Sequence, residues 1–188
     1  MGIIKGGTVA EGAATSVFSK AIGSPALGTT TAVHAAVTDN GATQTVTTAI
    51  TSPDVPRNVT ATAGGTSADV KAIQVTVTGT NVDGDTISET LPAFTVNTTG
   101  TVTGSKAFAT VTSITIPAHD GTGATTAVGL GAKLGLGDRL NRNSVVAAYL
   151  NGTKEGTAPT VAVSATAIES NTATLNSSLN GTAERSMS

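Results

Sequence analysis

Cysteine is absent from this 188-residue chain, so neither a disulfide framework nor a thiolate metal site can exist. Aromatic residues are almost as scarce: Phe18, Phe94, Phe108 and Tyr149 are the whole inventory, and there is no tryptophan. Aromatics each bury roughly 150–250 Å² and dominate ordinary cores and ligand pockets. Without them the core must be built from Val, Ile, Leu and Ala, in thin layers. A thin core predicts a weak monomer, stabilised by oligomerisation or by docking on a larger body. Charge is also sparse, at 12% of residues with a net value of −2. That balance excludes a basic nucleic-acid binder and an acidic disordered tail. No apolar run approaches the ~18 residues of a transmembrane helix, so no membrane partner is expected. The first twenty residues hold too short an apolar segment, and too many glycines, for a secretory signal. Gly2 is followed by glycine at position 6, where myristoylation wants Ser or Thr. Met1 is read as a true start, which predicts a product made in a cytoplasm.

What is present is threonine, about a fifth of the chain, a residue that suits strands better than helices. The organising stretch is Val70–Leu136. Ile73, Val75 and Val77 alternate with Gln74, Thr76 and Thr78, sending one set of side chains to a core and the other to water. Asn81–Asp85 (NVDGD) then supplies a tight reversal. Alternation resumes with Ile87 and Leu91, which predicts a β-hairpin. Farther on, Phe108, Ile114 and Ile116 occupy even positions but Val111 an odd one, predicting a bulge or short turn near Thr112-Ser113. Gly104 marks another bulge or bend.

On either side the same grammar recurs. Asn40-Gly41 predicts a hairpin between AVHAAV and TQTVTTAI. Pro53 and Pro56 exclude a central strand and mark a crossover or an edge. RNVTAT (57–62) is a short strand followed by a loop over 63–69, and LPAFTVNTTG (91–100) joins TVTGSKAF through Gly100. PAHDGT (117–122) is a reversal. The glycines at 129, 131, 135 and 137 permit close backbone approach along one strand. VVAAYL (145–150) is apolar on both faces, which predicts burial from both sides. PTVAVSATAI (159–168) is the last clear strand, and AERSMS reads as a frayed polar tail. Turn signals every 8–12 residues, with no sustained helical pattern, predict an all-β fold: an antiparallel β-sandwich or small barrel, jelly-roll or Ig-like. Residues 1–30 lack a sustained period and are read as an extended N-terminal arm on a domain spanning 31–188. Ile3, Ile4, Val17, Phe18 and Ile22 are the arm's candidate partner-binding residues.

No catalytic constellation emerges. His34 and His119 lack a third ligand at useful spacing and are read as surface histidines. Asn81, Asp83 and Asp85 begin like a calcium loop, but position 6 is Thr86 and position 12 is Pro92, so a plain turn accounts for them. Glu89 falls on the inward face between Ile87 and Leu91. It has no carboxylate partner or aromatic sugar platform for glycosidase chemistry, so an edge-strand charge or intersubunit salt bridge is expected. No G-x-S-x-G elbow or phosphate loop is present. Thr-x-Thr pairs at 43/45/47, 60/62, 76/78 and 101/103 are spaced like those of ice-binding faces. Scattered among separate hairpins, they are read as solvated strand faces. An enzyme is the least expected class, and neither cofactor nor metal is expected.

The phrases PRNVTATAGGTSADVKAIQVTVTGTNVDGDTISETLPAF, KAFATVTSITIPAHDGTG and GAKLGL, within residues 50–137, resemble small β-rich virion proteins of tailed bacteriophages. The resemblance implies a capsid decoration or cement protein, a homotrimer on the virion surface whose partner is the major capsid protein. It implies no catalytic residues. A terminal arm would grip neighbouring capsomers by strand addition, with Phe18 and Ile22 as anchors and Tyr149 a core or intersubunit contact. A tail or fibre component and a carbohydrate-binding or adhesin-like module are the alternatives.

Overall fold

The computed structural model describes residues 19–188. Its strands are β1 (Lys20–Gly23), β2 (His34–Thr38), β3 (Gln44–Val46), β4 (Arg57–Gly65), β5 (Thr76–Thr80), β6 (Thr86–Thr90) and β7 (Gly100–Phe108). There follow β8 (Thr110–Ile116), β9 (Ala124–Gly135), β10 (Ala148–Leu150), β11 (Thr153–Lys154), β12 (Thr160–Ala162), β13 (Thr172–Thr174) and β14 (Arg185–Met187). Two single 3₁₀ turns, Ser67–Asp69 and Ile168–Ser170, are the only helical segments among the described residues. The fold is all-β, as the alternation predicts.

Three antiparallel sheets form. One has the order β3-β8-β5-β6, one β12-β13-β9-β4-β7 with β2 also on β9, and one β1-β14-β10-β11. The first two sheets face each other as a sandwich. Val59, Ala61, Ala63 and Val128 from one meet Val75, Val77, Ile87 and Ile114 from the other, with Phe108 fully buried among them. A second, smaller cluster joins Leu134 and Leu136 to Ala148, Ala173, Leu179 and Met187. Strand β9 spans both clusters. One of its edges is tiled in succession by β2, by the Thr29 carbonyl and by β13.

The central hairpin is as expected: β5 and β6 pair in register from Thr76↔Thr90 to Thr80↔Thr86 around the 81–85 turn. Asn81 is buried in that turn, its Oδ1 accepting the amides of Asp83 and Asp85, while Gly84 takes a positive φ. The bulge near Thr112 is also present. Thr78 pairs with Ser113 but Gly79 with Val111, which restores Val111 to the core face.

The remaining irregularities converge on β4. Its register slips by two residues against β7 between Asn58 and Thr60, and by two against β9 between Arg57 and Val59. The buried Asn58 amide serves both places. Its Nδ2 donates to the Gly104 carbonyl (2.9 Å) and its Oδ1 accepts the Lys133 amide (2.9 Å). Gly131 leaves room for this side chain, since a Cβ there would overlap it. Extra residues in a ladder strand bend it and leave backbone groups unpaired; Asn58 pairs them.

Several expectations are corrected. Asn40-Gly41 does not close a hairpin: β2 pairs with β9 and β3 with β8, so this turn is a corner between sheets. Only Gly41 of the two has positive φ, and Asp39 and Asn40 accept the amides of Gly41 and Ala42. β4 runs on to Gly65 instead of ending at Thr62, and no strand forms over residues 91–99. The 159–168 strand shrinks to Thr160–Ala162. VVAAYL is not buried from both sides, because Val146 is 68% exposed and Tyr149 is only half-buried. The AERSMS tail is not frayed. It forms β14 inside the third sheet, where Arg185 and Met187 are buried and Ser188 exchanges backbone hydrogen bonds with Ala147. Residues 20–30, assigned to the arm, are built into the body through β1, the Ala26 amide on Asp54, the Pro25 carbonyl and the Thr29 carbonyl.

Candidate functional site

Of the candidate arm residues, Ile3, Ile4, Val17 and Phe18 lie outside the described residues. Ile22 lies in β1, half-buried against the second hydrophobic cluster. β1 is an edge strand, hydrogen-bonded to β14 alone, with a bulge between Ala21 and Gly23. Lys20 donates to the Leu136 carbonyl and pairs with Asp138 at 2.9 Å, fixing the root of the segment beside the end of β9. Tyr149 in β10 stands opposite Ser186 and Lys154.

The residues weighed for chemistry are occupied structurally. Glu89 faces inward as its position predicts. Its carboxylate accepts the Ser105 amide (2.7 Å) and hydroxyl (2.8 Å) and the Lys106 amide (3.2 Å), tying β6 to the bulged β7. β6 is the edge of its sheet, so Glu89 is an edge-strand charge. Gly104 is required beside it, because a Cβ would lie 2.7 Å from Glu89 Oε2. Asp83 pairs with Arg139 and Asp120 with Lys71. No group of three His, Cys, Asp or Glu side chains is arranged for a metal among the described residues.

His119 corrects the surface reading. It is 6% exposed and stacks on Phe94 at 6.0 Å. Nδ1 faces the Lys71 amide (3.2 Å) and Nε2 the Thr126 hydroxyl (2.9 Å), while its backbone amide donates to Asp39. Because Nδ1 accepts, the neutral ring carries its proton on Nε2. Burial pushes its pKa below the ordinary 6.5, against the opposing pull of Asp39 and Asp120. A depressed histidine binds fewer protons folded than unfolded, so its contribution is full above pH ~6.5 and is lost as pH falls through the lowered value. Unfolding free energy from urea titration should therefore fall between pH 7.5 and 5, and His119→Gln should flatten that dependence. An unchanged slope in the variant would assign the acid sensitivity elsewhere.

Two surfaces remain. A shallow depression of about 140 Å³ is lined by Leu27, Ala132, Leu175 and residues 176–179, with Leu27 63% exposed at its rim. The second surface is larger and more regular: the outer face of the β3-β8-β5-β6 sheet, where threonines dispersed along the chain are brought together. One rank runs Thr45, Thr115, Thr76 and Thr90 across all four strands. The next runs Ser113, Thr78 and Ser88, and a third Thr110, Thr80 and Thr86. Every residue in these ranks carries a hydroxyl. Neighbours hydrogen-bond across strands: Thr76 with Thr90 (3.1 Å), Thr78 with Ser88 (3.3 Å) and Thr80 with Thr110 (2.8 Å). The expectation that such pairs stay scattered is therefore overturned for this sheet. Thr60 and Thr62 pair separately with Thr103 and Thr101 on β4 and β7.

No described helix is long and apolar enough to cross a membrane. No family model, curated protein or solved structure matches the chain.

Proposed function

We propose that this chain is a structural virion protein, a head decoration protein that binds and stabilises the capsid of a tailed bacteriophage. The observation that carries the reading is the placement of β1. β1, which follows the candidate partner-binding residues Ile3, Ile4, Val17 and Phe18 in sequence, is an edge strand, and Ile22 fastens it to a hydrophobic cluster. An arm formed by residues 1–18 would transmit its grip to the folded body through β1, and its backbone would add to an exposed strand of the major capsid protein. The scarcity of charge and of large side chains suits repeated weak contacts summed by avidity. Phrase resemblance to β-rich virion proteins points in the same direction, as does the all-β fold.

The test is cryo-EM of purified particles together with co-sedimentation on shells lacking the protein. Copies in threes at capsid symmetry positions are expected. Deleting residues 1–18 should weaken shell binding by at least about tenfold, the equivalent of ~1.4 kcal/mol. A ring or fibre location on the tail would replace the head assignment, and absence from particles would end it.

A further inference from the structure

We infer that the hydroxyl face of the β3-β8-β5-β6 sheet is a contact surface for a neutral polysaccharide. Its three ranks span about 14 Å across the strands and about 13 Å along them, from strand spacings of ~4.8 Å and a two-residue repeat of ~6.7 Å. That is a few hundred Å² at most, well below the ~800 Å² per partner of a stable protein interface. Protein interfaces also concentrate their energy in aromatic and arginine anchors, and the ranks contain neither. They contain no charge of either sign, so they offer no electrostatic complement to an acidic or basic polymer.

All ten rank residues carry a hydroxyl and eight of them, the threonines, add a γ-methyl, a mixture of O–H and C–H groups like that of a sugar ring. In a hydrogen-bonded pair such as Thr76–Thr90, one hydroxyl proton is shared and the other is left over. Both oxygens keep a lone pair for a ligand or a bridging water. The sharing fixes the rotamers, so the donors and acceptors stand in place before a ligand arrives. Behind them Val77, Ile114 and Val111 are packed in the core, which holds the sheet rigid. Without aromatic stacking a single face binds weakly, and many copies on one particle would supply avidity.

The isolated ¹⁵N-labelled protein, titrated with maltohexaose, cellohexaose and mannohexaose, tests this without reference to any capsid. Amide shift changes centred on β5, β6 and β8 are expected with at least one of the three at millimolar concentration. The double variant Thr76→Val, Thr78→Val keeps β-branched side chains in the strand and should weaken that binding roughly tenfold, the order of one lost net hydrogen bond. Its amide spectrum, unchanged in dispersion, serves as the folding control. No shift with any of the three at tens of millimolar overturns the inference, as do shifts centred elsewhere or surviving the double substitution. Equal binding of polygalacturonate would overturn the neutral class. Self-association of the wild type that the double variant abolishes would assign the face to a second copy instead.

Discussion

Replacing Arg57 with alanine should lower the unfolding free energy by about 3–5 kcal/mol, the combined cost of emptying a fully buried side-chain site and losing its hydrogen bonds. The guanidinium is 0% exposed. Its Nε and Nη2 donate to the Gly131 carbonyl, and its Nη1 donates to the Ala26 carbonyl (2.8 Å) and to Asp54 (3.1 Å). Alanine would leave a cavity and deprive two part-buried carbonyls, of Ala26 and Gly131, of their donor, loosening residues 24–30 from β4. Urea unfolding of Arg57→Ala against wild type measures the effect. A loss under 1 kcal/mol would show that water reaches these carbonyls. Asp54, which is partly exposed, should matter less. Burial opposes its ionisation, but the Ala26 amide, the Arg57 guanidinium and the Val55 amide together hold its pKa below 3.8. That contribution is therefore full at neutral pH and disappears only as pH falls below ~3.8 through the lowered value, well apart from the histidine window.

Deleting residues 185–188 should melt the third sheet while sparing the sandwich. β14 lies between β1 and β10, so its removal leaves β1 with no strand partner. It also removes Arg185, whose Nη1 pairs with buried Glu155 at 3.2 Å and whose Nη2 donates to the Ser178 carbonyl. Glu155 would then be a buried carboxylate holding only the amides of Asn176 and Ser177, and an unpaired buried charge is costly. Hydrogen exchange by NMR should show β4, β5 and the first half of β9 still protected, with β1 and β10 exchanging near the rate of an open chain. Retained protection in β1 and β10 would show that the tail is an accessory. Under the proposed capsid-binding function, losing the β14 partner of β1 should also weaken shell binding with residues 1–18 intact.

How far the sequence led can be followed residue by residue. The β5–β6 hairpin and the Thr112 bulge were legible because period-two alternation and its interruption are local signals. Asn40-Gly41 misled because a turn signal records a reversal of direction, not which strands then pair. The last residues misled because polar composition usually means solvent, while the partner that buries Arg185 lies thirty positions earlier at Glu155. His119 was hidden for the same reason: the neighbours Phe94 and Lys71 that cover it lie 25 and 48 positions earlier in the chain. The threonine ranks needed the strand order itself, since β8 inserts beside β5 from thirty residues away. For the arm residues, only Ile22 has been given a place.

Asn58 carries a consequence for how this fold can change over generations. One side chain fits two irregularities at once, on β7 and on β9. An insertion or deletion near Gly104 would shift the carbonyl that Asn58 holds, without shifting the Lys133 amide on its other side. Length changes in the two strands are thereby tied together. Relatives of this chain should keep both irregularities with an amide residue between them, or lose both together and carry an ordinary strand residue at that position.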